Sequence, residues 1–227
     1  FGCLALIRNA QKMLFENISN ASKLGTFRNG PVKITGARIK PPEFDISDWM
    51  RLWCDYVDYA YKNHRVREAA ARIHVLFESI HPFEDGNGRV GRIMLNFTLI
   101  VHGYVNIVIK GAEKSDRDRY IKALENAERG IRDIFRTSPR EFTPEKIDKF
   151  FEEKDTDKLS KIIEEALIES YDRLICTSNK AKLVSVSTYA SMTKHTDVAI
   201  RKAIERNQLI AYKESGRWMI YPEEFHK

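Results

Sequence analysis

Cysteine is scarce in this chain: Cys3, Cys54 and Cys176 are odd in number, far apart and in no C-x-x-C pair. Neither a disulfide framework nor a zinc site is expected from them, and a reducing cytoplasm fits such usage best. Long apolar runs are missing as well. The longest, Ile93 to Val101, is broken by Asn96 and Thr98 and falls well short of the roughly 20 residues of a spanning helix, so no membrane partner is expected. No internal repeat, low-complexity tract or secretory leader is legible. The chain opens on Phe1, inside a helical pattern of Leu4, Ile7, Ala10, Met13 and Leu14, so sequence upstream of it is expected.

What is present points to a packed fold. Of the 227 residues, 43% are apolar and 31% charged, which argues against disorder and leaves room for one large domain or a domain with an appendage. The net charge of +6 permits an acidic or nucleic-acid partner, and a solvated basic surface explains it equally well. Apolar residues recur at three- and four-residue spacing in Trp49-Met50-Trp53-Tyr56-Val57-Tyr61 and in Ala70-Ile73-Leu76-Phe77-Ile80, the period of amphipathic helices. One stretch departs from it. Pro31 to Ile39 alternates β-branched and other residues around Gly36 before Pro41-Pro42, which reads as a short hairpin or, failing that, an irregular loop. Residues 137–182 read as a helical connector, and a small separate domain over 183–227 combines short helices with two apolar strands around Glu214-Ser215-Gly216.

The chemistry concentrates at His81-Pro82-Phe83-Glu84-Asp85-Gly86-Asn87-Gly88-Arg89. Pro82 ends one helix and the glycines give backbone freedom before the next, Val90 to Val101. A glycine-bracketed loop entering a helix presents several N–H groups one way, and the helix dipole adds positive charge there, so phosphate is the natural guest. Arg89 and Arg92, at i and i+3, project towards the same polyanion. Asp85 offers the single hard carboxylate that Mg²⁺ bridging two phosphates needs. His81 is placed to act as a general base near neutral pH. Taken singly, each of these has a duller explanation as a cap, a turn or a solvated face; their combination favours the site.

From His81 to Arg92 the string H-P-F-E-D-G-N-G-R-V-G-R resembles the Fic family signature, H-P-F-x-[DE]-G-N-G-R-x-x-R, at every specified position. Weaker resemblance runs from about Phe27 to Gly130, including Gly103-Tyr104 and Tyr120-Ile121-Lys122-Ala123-Leu124. It implies a mainly α fold: a Fic-type helical bundle with a short β-hairpin flap over 1–136, followed by a small winged-helix domain. It also implies an enzyme that transfers AMP from Mg-ATP to a Ser, Thr or Tyr hydroxyl of a target protein. His81 would be the base, Asp85 the metal ligand, Gly86, Asn87 and Gly88 the anion loop with Asn87 orienting the α-phosphate, and Arg89 and Arg92 the holders of the outer phosphates. Val32, Lys33, Ile34 and Thr35 would form the flap that binds the target by strand addition, and Tyr120 and Leu124 would flank adenine. Gly88, where a phosphorylating relative has lysine, favours AMP transfer.

The family's inhibitory pattern, [ST]-x-x-x-E-[GN], is absent from the chain. An inhibitory helix upstream of Phe1 or on a separate protein is expected, and a homodimer is allowed. Removal of AMP is one alternative activity. Another is a DNA-binding regulator with a nucleotide-sensing half, because Val184–Ala190, Thr196–Arg206 and Arg217-Trp218 resemble a winged helix-turn-helix. Lys194, His195, Arg201 and Lys202 would then mark a recognition helix able to contact DNA, or the module would dock protein instead.

Overall fold

The computed structural model describes residues 2–16, 24–34 and 38–222. Helices prevail: α1 (Cys3–Phe15), α2 (Ile46–Asn63), α3 (Val66–Ile80), α4 (Asn87–Val101), α5 (Lys114–Ala127), α6 (Pro144–Asp148), α7 (Glu153–Ser178), α8 (Val186–Thr193) and α9 (Asp197–Glu205). The strands β1 (Val184–Ser185), β2 (Ala211–Glu214) and β3 (Arg217–Ile220) follow α7. The chain divides into two compact units, Phe1–Glu164 and Glu165–Lys227, with the division inside α7. The connector expected over 137–182 is thus shared between them.

In the first unit α3 is the central helix. Every residue from Ala69 to Phe77 is buried, as befits a helix packed on all sides by α2, α4 and α5. Three alanines, Ala69 to Ala71, let its neighbours approach closely. From α2 the stripe Trp49, Trp53, Tyr56 and Ala60 faces it; Trp53 Nε1 donates to the Ile73 carbonyl at 2.9 Å and meets Phe77 edge-on at 5.4 Å. Burying a side chain of Phe77's size contributes about 1.5–3 kcal/mol, so this seam is a main source of stability. Asp148 pins α6 to α2 and α3, accepting from Tyr56 Oη at 2.6 Å and Arg72 at 2.7 Å, with His64 Nε2 at 2.9 Å.

Two expectations are corrected here. Cys3 and Cys54 form a disulfide, their Cα atoms 6.2 Å apart. Packing of α1 across α2 brings together residues 51 positions apart, and linear spacing carries no trace of that. The cytoplasmic expectation therefore loses its premise of unpaired thiols; only Cys176 is a free thiol, and it is buried. Nor do residues 31–34 and 38–42 form a β ladder. The buried guanidinium of Arg28 donates instead to the carbonyls of Gly30 and of Pro42, the latter at 2.7 Å, so one side chain closes the loop that two short strands would have closed. Residues 35–37, the tip of the expected flap with Thr35, lie outside the described residues.

In the second unit β3 lies between β1 and β2 in an antiparallel sheet, with Val184 and Ala211 both opposite Ile220. Ser215 and Gly216, both at positive φ, make the tight β2–β3 turn that matches strand twist. Helices α8 and α9 bury Val186, Ala190, Ile200 and Ile204 with Ala211 and Ile220. Lys194 ends α8 in the left-handed conformation, and Thr196 caps α9 by accepting from the Ala199 N–H at 3.2 Å. A helix-turn-helix with a following β-hairpin results.

Candidate active site

The motif occupies the junction between the end of α3 and the start of α4. His81 caps α3 in the left-handed conformation, φ 51°, its N–H donating to the Phe77 carbonyl at 3.0 Å. Pro82 has no N–H with which to continue the helix. Phe83 is fully buried against Phe27, ring centroids 5.3 Å apart, and anchors the loop. Gly86 then caps α4 at φ 86°, and a side chain there would also overlap the Phe15 ring. Only glycine meets both conditions.

Asn87 closes the loop on itself. Its side chain accepts from the Phe83 N–H and donates back to the Phe83 carbonyl, each at 2.8 Å. The group it offers an anion is therefore its backbone N–H, not the side-chain amide. The first bond of α4 runs from Val90 N–H to Gly86 O at 2.9 Å, so the amides of Asn87, Gly88 and Arg89 have no acceptor within the helix. They point out of the positive end of the dipole. The Gly86 N–H is spent on Asp85 Oδ1 at 2.6 Å.

The charged groups surround this end. Arg89, about half exposed, lies over the Phe15 ring at 4.4 Å and 3.8 Å from Asp85 Oδ2. Arg92 is exposed on the next turn. His81 Nδ1 lies 3.1 Å from the Glu78 carbonyl, so in the tautomer that donates to it the lone pair sits on Nε2. Burial, helped by the Arg28 charge, holds the imidazole below its ordinary pKa against the opposing effects of the Glu78 carbonyl and Asp85. It is neutral, and able to take a proton, at neutral pH.

Arg28 is the residue that sequence reasoning missed. It donates to the carbonyls of Ile80 at 2.9 Å and His81 at 2.7 Å, and its own N–H donates to Pro82 O at 2.9 Å. Burial pushes its pKa down to about 10, which leaves it charged at neutral pH. A lone arginine in an unpatterned segment gives no signal for this.

Of the other expected residues, Val32 and Ile34 are half-buried while Lys33 is exposed, an alternation typical of extended chain. Tyr120 and Leu124 lie one turn apart on α5, with the Tyr120 hydroxyl 2.6 Å from His74 Nε2. Among the described residues no group of three or more His, Cys, Asp or Glu side chains could hold a metal. One exposed carboxylate beside a phosphate site still fits Mg²⁺, which keeps waters and binds through one or two carboxylates and the phosphates themselves. A cleft of about 700 Å³ lined by Arg38, Lys40, Phe44, Trp49, Arg132 and Arg136 contains no motif residue, so the site rests on the loop rather than on that cavity.

The same stretch of chain, residues 2–99, matches the model of the Fic/DOC family. The chain is 29% identical over 210 residues to a probable protein adenylyltransferase of Aquifex aeolicus, covering 86% of this chain and 60% of that protein. It is 33% identical over 108 residues to the protein adenylyltransferase Fic of Drosophila willistoni, covering 47% of this chain and 21% of that one. It thus spans less than two thirds of the length of either relative. A crystal structure of a Fic domain containing signaling protein from Bacteroides thetaiotaomicron superposes with a TM-score of 0.51 at 23% identity, over 74% of this chain and 60% of that one, a likeness of fold.

Proposed function

We propose that this chain transfers AMP from Mg-ATP to a hydroxyl side chain of another protein. The observation that carries it is His81, its Nδ1 turned to the Glu78 carbonyl, at one end of a short loop whose other end presents α4 amides with no acceptor within the helix. In this reaction the target oxygen forms a bond to the α-phosphorus, its proton passes to His81 Nε2, and the bond to the β-phosphate oxygen breaks to release pyrophosphate. The amides of Asn87, Gly88 and Arg89, with the Arg89 and Arg92 guanidinium groups, stabilise charge on the phosphate oxygens. Magnesium, held by Asp85, would neutralise the outer phosphates. The Val32–Ile34 stretch presents main chain to an extended target segment, and the sides of Tyr120 and Leu124 flank adenine. A glutamate supplied from outside the chain would restrain the enzyme at Arg92. A cytoplasmic location is part of the proposal, and thiol counting on the chain purified from cells tests it, a Cys3–Cys54 disulfide counting against it.

Intact-mass spectrometry after incubation with Mg-ATP and candidate targets is the test. A gain of one AMP on chain or target, lost in His81→Ala, is expected; a gain of phosphate, or labelling that survives in the variant, would refute the assignment.

A second role belongs to the unit Glu165–Lys227. Lys194, His195, Arg201, Lys202 and Arg206 are exposed on and around α9, outnumbering Asp197 and Glu205, and Lys213 and Arg217 are exposed on the β-hairpin. A helix of bare basic face is complementary to a duplex major groove. Duplex DNA binding that weakens with salt, with the slope lowered by about 2 in Arg201→Ala/Lys202→Ala, is expected. Equal affinity and slope in the variant would leave the surface to another partner.

A further inference from the structure

Between α3, α4 and α5 lies a polar cluster that the proposed reaction does not use. The Glu78 side chain is 14% exposed, and its buried Oε1 has no hydrogen-bond partner. That atom lies 3.9 Å from Nε2 of His74, whose side chain is wholly buried and whose Nδ1 is likewise unpartnered. Glycine at 91 makes room for the carboxylate, because a side chain there would collide with Glu78 Oε1. A Cβ placed on Gly88 would lie 3.5 Å from an Arg92 terminal nitrogen and 4.0 Å from Glu78 Oε2, so carboxylate and guanidinium flank the same stretch of α4. The Arg92 guanidinium acts on the Tyr120 hydroxyl, opposing the rise that burial gives its pKa, and that hydroxyl meets His74 Nε2 at 2.6 Å.

A carboxyl group in such a place is costly unless a cation answers it. Burial pushes the Glu78 pKa up to about 7 even against the opposing pull of Arg92, and burial followed by Arg92 pushes His74 down to about 3, leaving that imidazole neutral. Arg92 is then the cation that faces the cluster. Its residue is nevertheless exposed, on the second turn of the helix whose open amides form the anion site. A long, flexible side chain anchored from beneath loses less freedom when it meets an anion than one free in solvent.

We infer that Glu78 and Tyr120 are positioning residues that hold the Arg92 guanidinium ready for the outer phosphates of a nucleoside triphosphate, a role that rests on the AMP-transfer function proposed for the same loop. His74, locked neutral, completes the seat by fixing the Tyr120 hydroxyl. Glu78 touches no reacting atom and acts only through Arg92.

Calorimetric binding of Mg-ATP and of AMP to the full chain separates this from a general packing role. Glu78→Gln, nearly isosteric, and Tyr120→Phe should each weaken Mg-ATP about tenfold, equivalent to about 1.4 kcal/mol. AMP, which lacks outer phosphates, should bind Glu78→Gln as it binds the wild type. In the Arg92→Ala background Glu78→Gln should add nothing, because the interaction it serves is already gone. Equal losses for both nucleotides, additive losses in the double variant, or unchanged Mg-ATP binding would overturn the inference. A wild-type chain that shows this binding pattern yet gains no AMP mass on itself or a target would refute AMP transfer and leave the positioning role standing. Absence of Mg-ATP binding by the wild type would refute both.

Discussion

His74 illustrates how a single side chain can carry a pH dependence. Its ring is sealed between helices, and burial with the nearby Arg92 charge lowers its pKa from 6.5 to about 3. Below pH 6.5 the unfolded chain takes up a proton that the folded chain refuses. The stabilisation is therefore present above pH 6.5 and is lost as pH falls towards 3. Glu78 works the other way: its folded pKa is raised from 4.5 to about 7, so its contribution is present below pH 4.5 and is lost as pH rises through 7. Replacing His74 by Gln should flatten the acid side, the gap between wild type and variant narrowing by on the order of 3 kcal/mol from pH 7 to pH 4. Urea denaturation at both pH values checks this, and parallel losses would mean that the buried ring titrates freely. At this scale the sequence was most informative about His81, Asp85 and Arg89, whose types and spacing pick out the loop between α3 and α4. It was silent on Arg28, which acts through backbone carbonyls that any sequence would supply.

Among the elements, the entry to α4 depends on glycine for two separable reasons. Gly86 sits at φ 86° and abuts the Phe15 ring, whereas Gly103 sits at φ 85° with open space around it. Gly86→Ala should destabilise the chain by about 2–4 kcal/mol, combining left-handed strain with overpacking, and Gly103→Ala by only about 1–2 kcal/mol. Equal losses in thermal or urea unfolding would show that Phe15 yields without cost. The periodic stripes of α2 and α3 were legible because a 3.6-residue repeat survives in a linear string. The hairpin read into Pro31–Ile39 was a local inference from alternation. Strand pairing is settled by what lies opposite, and there the Arg28 guanidinium bonded to Gly30 and Pro42 takes the place of a ladder.

Over the whole molecule, the compact unit Phe1–Glu164 contains the segment that matches the Fic/DOC family model, and Glu165–Lys227 contains a helix-turn-helix with a β-hairpin. The sequence by itself determined the helical class and the residue pattern of the loop from His81 to Arg92. Those features depend on residue type, period and short-range spacing, which are properties of the string. Only the tertiary structure decided that Cys3 meets Cys54, that Arg28 holds the end of α3, and that Glu78 and Tyr120 meet at His74. Each of these joins residues from different elements, and their meeting is fixed by how helices pack against one another, which no local pattern encodes.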